Sequence, residues 1–163
     1  MQLRLRIIGL AFLACCAGLA QPALAASGEG VIAVIVAPGH GKSIKKDELA
    51  LIYSRRKLFW PDGSRIQPVN LPAASALRRT FSHAVLGASL EALEKYWNDL
   101  YFHGISPPFV LSSEEAVLRF VAETPDAVGY VSYCNVAGRA KVILVITPAG
   151  HISEDVAGIQ CGR

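Results

Sequence analysis

The sequence predicts a single α/β domain with a mixed sheet over residues 26–163. An unbroken run of mainly β-branched residues at 31–37 (VIAVIVA) is typical of a strand buried on both faces. Later segments alternate between helical apolar spacing and short strand-like runs, a pattern typical of an α/β sandwich. Hydrophobic residues make up 52% and charged residues 18%, and neither repeats nor long linkers occur, which excludes a disordered or multidomain chain.

The elements of the first half follow in chain order. A Pro-Gly turn ends the first strand, and a helix is predicted over 45–55 with Ser43 as its N-cap. A Pro-Asp-Gly turn at 61–63 and a short strand at 65–70 come next. The inner stripe of the predicted helix consists of three residues: Leu49, Ile52 and Tyr53.

Three more helices are predicted in the second half. One covers 75–85, and a longer one begins after the N-cap Ser89 and stops at Gly104. Ser112 and Glu115 have the spacing of a capping box for the last helix.

Two final strands, at 128–133 and 141–147, are separated by a short Asn- and Gly-containing turn. We therefore expect a terminal hairpin and a partly parallel sheet near the N-terminus of the domain.

Residues 1–25 have the pattern of a cleaved secretory signal peptide. Two arginines precede an apolar run at 7–20, and an Ala-x-Ala sequence ends at Ala25. The run is too short for a membrane-spanning helix, which needs about 20 residues. A lipid anchor on Cys15 would require leucine where Phe12 stands. The sequence predicts a periplasmic protein without stable membrane insertion.

Charge is distributed unevenly along the chain. Without the two leader arginines, 14 basic residues stand against 13 acidic ones, which gives no indication of a nucleic-acid partner. Residues 39–79 nevertheless carry a net charge of +6, and residues 80–126 carry −5. The basic half could face an anion or an acidic partner. The alternative is two ordinary solvated faces.

Cys134 and Cys161 are the cysteines that remain after the leader. In an oxidising compartment two such thiols are expected to form a disulfide. The alternative, a metal or redox pair, lacks a C-x-x-C motif and a neighbouring histidine. No metal or cofactor is predicted.

The sequence contains no arrangement that indicates catalysis. The four histidines lack ligand spacing, and the segment GHGKS at 39–43 lacks the earlier glycine of a P-loop, since Val36 stands there. We therefore predict that the protein is not an enzyme. A glycine turn before a helix can still bind an anion, which makes Gly41, Lys42 and Ser43 candidates. An ordinary capped turn is the alternative.

Several motifs in order resemble those of one protein family. They are IYSRRK at 52–57, WPDG at 60–63, IQPV at 66–69, a serine at 75 and PDAVGYV at 125–131. In this combination the chain resembles the phosphate-binding proteins of periplasmic ABC transporters. The resemblance implies a type II periplasmic-binding-protein fold, of which this chain supplies one lobe.

The resemblance also implies where an anion would bind. The family's loop has an arginine and then Ser-Gly-Thr, whereas this chain has Asn70 and then Ser-Ala-Leu, with Ser75 and Arg78 preserved. Ser75 and Arg78 are thus the second candidate site, and the lost charge and hydroxyl imply a weak one. Both candidate sites follow predicted strands, so both are expected at carboxyl ends of the sheet. The alternative is that Ser43 and Ser75 only cap helices.

These observations lead to two functional hypotheses. The first is an exported solute-binding-like protein that takes phosphate or another small oxyanion, with an ABC permease or envelope protein as partner. The second is a periplasmic adaptor that reuses the fold for protein interaction. An exposed apolar edge, formed by residues 59–60 and 109–111, is expected on a lobe that lacks its partner lobe.

Overall fold

The structure, a computed structural model, describes residues 26–28, 30–41 and 43–162. The predicted leader at 1–25 and Lys42 lie outside the described residues. The strands are β1 (Ala26–Ser27), β2 (Ile32–Val36), β3 (Gln67–Asn70), β4 (Phe109–Val110), β5 (Ala127–Ser132), β6 (Lys141–Ile146), β7 (Ile152–Ser153) and β8 (Ile159–Gln160). The helices are α1 (Lys46–Tyr53), α2 (Ala76–Leu86), α3 (Leu90–Tyr101) and α4 (Glu114–Glu123). None of these four described helices has the length and apolar character needed to cross a membrane.

Six strands form a mixed sheet in the order β4-β3-β5-β2-β6-β7. The pairs β4–β3 and β3–β5 are parallel, and the pairs β5–β2, β2–β6 and β6–β7 are antiparallel. The predicted mixed sheet is confirmed. Strands β1 and β8 form a separate parallel pair.

Two topological expectations are wrong. The first strand of the main sheet, β2, is antiparallel to both of its neighbours, so the parallel part of the sheet lies elsewhere. Strands β5 and β6 do not form a hairpin, because β2 is inserted between them, and the terminal hairpin is β6–β7. The physical reason is that all five residues of β2 are apolar and buried, which favours a central position with a neighbour on each edge.

The helices cover both faces of the sheet. Gly129 and Tyr130 are adjacent in β5 and therefore point to opposite faces. Helix α4 packs on the Gly129 face through Val117 and Val121. On the other face, Phe81 of α2 stacks on Tyr130 with ring centroids 3.8 Å apart, and Tyr53 of α1 packs edge-on against Phe81. The predicted inner stripe of α1 is confirmed, since Leu49, Ile52 and Tyr53 are all buried.

Helix α3 lies outside these layers. It follows its predicted N-cap, but Leu93 is its only fully buried residue. The hydroxyl of Tyr96 donates to the carbonyl of Ser54 and so attaches the helix to the end of α1. Tyr101, the last residue of the helix, is 69% exposed. The predicted helix and its N-cap are confirmed.

The helix caps agree with two of the four predictions. Ser75 and Ser89 cap α2 and α3, and each hydroxyl accepts a backbone N–H three residues on. Ser43 is not a cap, because α1 begins after Lys45, whose N–H donates to the carboxylate of Glu48. Ser112 is not the cap of α4 either, since the adjacent Ser113 accepts the N–H of Ala116.

The predicted disulfide between Cys134 and Cys161 is confirmed. Cys134 lies in a short 3₁₀ turn over Tyr133–Asn135, directly after β5, and Cys161 follows β8. The bond joins the C-terminal segment to the main sheet. Gly28, next to β1, contacts the disulfide so closely that a Cβ there would lie 2.8 Å from the Cys134 sulfur.

Close packing of α4 on β5 requires glycine at position 129. A Cβ at this position would lie 2.7 Å from Cγ1 of Val117 and 2.8 Å from Cγ2 of Val121. We expect Gly129→Ala to lower the free energy of unfolding by about 1–3 kcal/mol, as overpacked cores do. Urea denaturation measures this change. Gly39→Ala is the control because its Cβ would meet no atom, and equal effects of the two variants would contradict the packing argument.

Candidate functional site

The start of α2 combines a helix N-terminus with an arginine. Strand β3 ends at Asn70, and α2 begins six residues later at Ala76. Ser75 caps the helix, with its Oγ accepting the N–H of Arg78 at 3.4 Å. No acidic residue lies in the first turn of α2, so the positive end of the helix dipole is not neutralised there. The place has the basic geometry of an anion site.

The guanidinium of Arg78 is anchored beside this helix end. Its Nη1 donates to the carbonyl of Leu71 at 2.7 Å, and the side chain is half-buried. Its Nε is buried and has no hydrogen-bond partner in the described part of the chain. Arg78 therefore holds a positive charge against the loop that joins β3 to α2.

A buried polar network supports this loop from below. The hydroxyl of Tyr130 donates to Oδ1 of Asn70 at 3.0 Å and accepts the N–H of Leu71 at 3.4 Å. Asn70 is only 5% exposed. The Tyr53 hydroxyl makes similar bonds to the carbonyls of Val69 and Val128. Burial raises the pKa of Tyr130 to about 12 and raises that of Tyr53 well above its ordinary value, so both phenols are neutral donors at physiological pH.

Asn70 consequently has a structural role at the position where the resembled family has an arginine. Its side-chain oxygen accepts from Tyr130 and is covered by protein. The sequence did not reveal Tyr130 as part of the site, because it lies 60 residues from Asn70 and reads as an ordinary strand residue. Only the pairing of β3 with β5 brings the two together.

The other candidate site, at Gly41, Lys42 and Ser43, lies at the opposite end of the sheet. Val36, at the end of β2, pairs with Val128 near the start of β5, because the two strands are antiparallel. Pro68 of β3 also pairs with Val128. The turn after β2 therefore lies at the amino ends of β3 and β5, whereas Ser75 follows the carboxyl end of β3. The structure does not bring the two groups together.

Few contacts support the turn as a site. Gly41 and Ser43 are both exposed, and a Cβ on Gly41 would meet no atom within 4 Å. Ser43 does not cap α1, and Lys42 lies outside the described residues. Of the residues predicted to bind an anion, Ser75 and Arg78 are thus the pair that the structure places at one helix end.

Helix α4 is closed to an external anion by its own residues. The carboxylate of Glu114 accepts the N–H of Ser132 at 2.6 Å and the side-chain amide of Asn135 at 3.0 Å. Glu115, which was predicted for the capping box, pairs instead with Arg139 at 2.7 Å. Of the two helices that follow the carboxyl ends of β3 and β4, α2 therefore has the more electropositive start.

Across the residues that the structure describes, no group of three or more histidine, cysteine, aspartate or glutamate side chains could hold a metal ion.

Comparison with solved structures identifies proteins that share this architecture. An ABC-type phosphate transport receptor from Vibrio cholerae superposes with a TM-score of 0.54 at 20% identity, covering 68% of this chain and 44% of the receptor. A putative phosphate ABC transporter substrate-binding protein with bound phosphate, from Clostridium perfringens, superposes with a TM-score of 0.56 at 19% identity, covering 68% and 43%. The chain has the fold of one lobe of these receptors. PstS from Borrelia burgdorferi agrees, with a TM-score of 0.51 at 15% identity.

This likeness confirms the predicted fold class, a type II periplasmic-binding-protein lobe with a mixed sheet. The chain spans less than half the length of the receptors it matches. No protein-family model matches the sequence, and no curated protein matches it. At this level of identity the similarity establishes the fold, and the ligand must be argued from the residues of this chain.

The Tyr130 hydroxyl is expected to stabilise the β3–α2 loop. Tyr130→Phe leaves the buried Asn70 oxygen without its donor, which should cost about 1–3 kcal/mol of unfolding free energy at pH 7. The folded-state pKa of Tyr130 near 12 exceeds the unfolded value near 10, so the protein loses stability as the pH rises between these values. The unfolding free energy of Tyr130→Phe should therefore fall less than that of the wild-type protein as the pH rises through this range.

Urea denaturation at pH 7 and pH 10.5 tests both statements. Tyr101→Phe is the control, because Tyr101 is largely exposed. Equal unfolding free energies for the two variants at pH 7 would contradict a supporting role for Tyr130.

Proposed function

We propose that this protein is an exported, non-enzymatic solute-binding protein that binds a small phosphate-type oxyanion weakly at the start of α2. The observation that carries the proposal is the Ser75-capped helix end with the Arg78 guanidinium anchored beside it, at the carboxyl end of a parallel strand. Ligands of open α/β sheets usually bind at such an edge. The fold shared with phosphate receptors supports the same class of ligand.

The contacts around this helix end are consistent with low affinity. The Ser75 hydroxyl already accepts the Arg78 N–H, and one Arg78 nitrogen is committed to the Leu71 carbonyl. Asn70 supplies no charge. A single lobe also leaves the other side of the anion in water, where charge-assisted hydrogen bonds are weakened.

Export is part of the same proposal. The leader pattern at 1–25 predicts secretion, and the Cys134–Cys161 disulfide suits an oxidising compartment such as the periplasm. Within that compartment the lobe would present its bound oxyanion to an ABC permease or an envelope protein.

Replacing the cap with aspartate separates binding from folding. Ser75→Asp preserves a good N-cap, so the unfolding free energy should change by less than about 1 kcal/mol. The new carboxylate occupies the helix end and repels anions, so phosphate and sulfate affinity should fall about tenfold or more. NMR titration with each anion at low ionic strength measures the affinity.

Ser89→Asp is the matched control for this experiment. It makes the same replacement at the cap of α3, where the Ser89 hydroxyl accepts the N–H of Ala92, and should leave anion affinity unchanged. Unaltered phosphate affinity in Ser75→Asp, or equal losses in both variants, would contradict a site at α2.

The second candidate function is a periplasmic adaptor, which the exposed apolar residues favour. The end of α3 and the segment that leads through β4 expose Phe102 at 86% and Phe109 at 69%, along with Tyr101, Ile105 and Val110. Exposed apolar surface of this kind often marks a protein interface. Of the residues expected at an exposed apolar edge, Phe59, Phe109 and Val110 are exposed, Leu111 is half-buried and Trp60 is buried.

An interface on this surface predicts self-association or partner binding. Sedimentation velocity of the wild-type protein at high concentration should show dimers or larger species, and Phe102→Ser should shift the distribution to monomer without loss of stability. Ala157→Ser, at an exposed position outside this surface, is the control. A monodisperse wild-type monomer together with no captured partner would argue against the adaptor.

A further inference from the structure

A groove of about 550 Å³ lies along the edge of the sheet beside β3. Strand β4 pairs with β3 only at Val69 and Asn70, so the first residues of β3 have no strand on that side. Pro107 and Pro108 precede β4 and cannot donate ladder hydrogen bonds. The chain therefore leaves the sheet edge open at this point. The volume of the groove is that of a small-molecule pocket.

The walls of the groove are largely apolar, but its charge is entirely positive. Pro68, Pro108, Phe109 and Phe120 form apolar surface, and Arg55 and Arg65 contribute the two guanidinium groups. No carboxylate lines the groove among the described residues. Burial, and next the positive charge of Arg65, lower the pKa of Arg55.

Arg55 occupies a backbone position that suits glycine. Its φ is +60°, and it follows the end of α1, where the N–H groups of Arg56 and Lys57 both donate to the carbonyl of Leu51. Glycine is the usual residue at such a helix end, because a side chain is disfavoured at positive φ. The Nε of Arg55 is buried with no hydrogen-bond partner in the described part of the chain. The backbone conformation at this position therefore favours glycine over arginine.

We propose that this groove binds a small organic carboxylate with an aromatic body, the carboxylate between Arg55 and Arg65 and the ring against the proline and phenylalanine wall. A planar guanidinium matches a carboxylate in geometry and charge. The site is separate from the start of α2, since it lies beside the first residues of β3 rather than beyond its carboxyl end. It does not depend on the proposed oxyanion site.

Phenylacetate is the probe, with acetate as its head group alone and benzyl alcohol as its body alone. In NMR titrations of the wild-type protein we expect phenylacetate to bind about tenfold tighter than either part, with shifts at Arg55, Arg65 and Phe109. Added salt should weaken this binding.

Arg55→Gly tests the arginine without risk to the fold. Glycine suits the positive φ, so the melting temperature should hold or rise, while phenylacetate affinity should fall about tenfold through loss of one charge-assisted contact. Arg65→Gln should show a similar fall. Arg56→Ala is the matched control, because it removes the same charge at the next residue, which does not line the groove.

The variants also separate the two sites. Ser75→Asp should leave phenylacetate binding intact, and Arg55→Gly should leave phosphate binding intact, so either proposal can fail alone. Phenylacetate binding no tighter than acetate would overturn the groove proposal. Equal losses of phenylacetate affinity in Arg55→Gly and Arg56→Ala would also overturn the proposal, because they would show only a general attraction to positive charge.

Discussion

The insertion of β2 between β5 and β6 is the constraint on which the rest of the molecule depends. All five residues of β2 are buried, so the strand requires a neighbour on each edge and a helix layer on each face. Its antiparallel direction then sends the turn after it to the amino ends of β3 and β5. That strand direction separates the two candidate sites predicted from the sequence, and Ser75 and Arg78 lie together at the start of α2.

The polar groups near α2 are used mainly to hold the loop, which limits what they can bind. Tyr130, stacked on Phe81, bridges Asn70 and the backbone of Leu71, and Arg78 anchors the carbonyl of Leu71. Buried polar groups are normally satisfied, and around this loop the protein satisfies them itself except for the Nε of Arg78, which has no partner in the described part of the chain. The positive charge and the helix dipole suit the proposed oxyanion, but few hydrogen-bond donors at this site are free to bind it.

The open edge of the sheet holds a second unpartnered arginine nitrogen among the described residues, on a residue whose backbone position favours glycine. Within the described residues, Arg55 has an unfavourable backbone conformation and a buried nitrogen without a partner, and no carboxylate lines the groove beside it. Features that local folding does not explain are the ones most informative about binding. The short β4 strand and the prolines before it create this edge, and the largely exposed Phe109 lines it.

The sequence by itself determined the α/β class, the central buried strand, four helices with two of their caps, the Cys134–Cys161 pair and the resemblance that the fold comparison confirms. Periodicity and capping chemistry act over a few residues, so the sequence is enough to reveal them. Two cysteines after the leader allow a single disulfide pairing. Tertiary structure alone decided the strand order, the burial of Asn70 under Tyr130, the exposure of Tyr101 at the end of α3 and the placement of Arg55 and Arg65 along one groove. Each of these depends on which distant segments pack together, because a side chain's partners across a sheet are set by strand direction and register rather than by neighbouring residues.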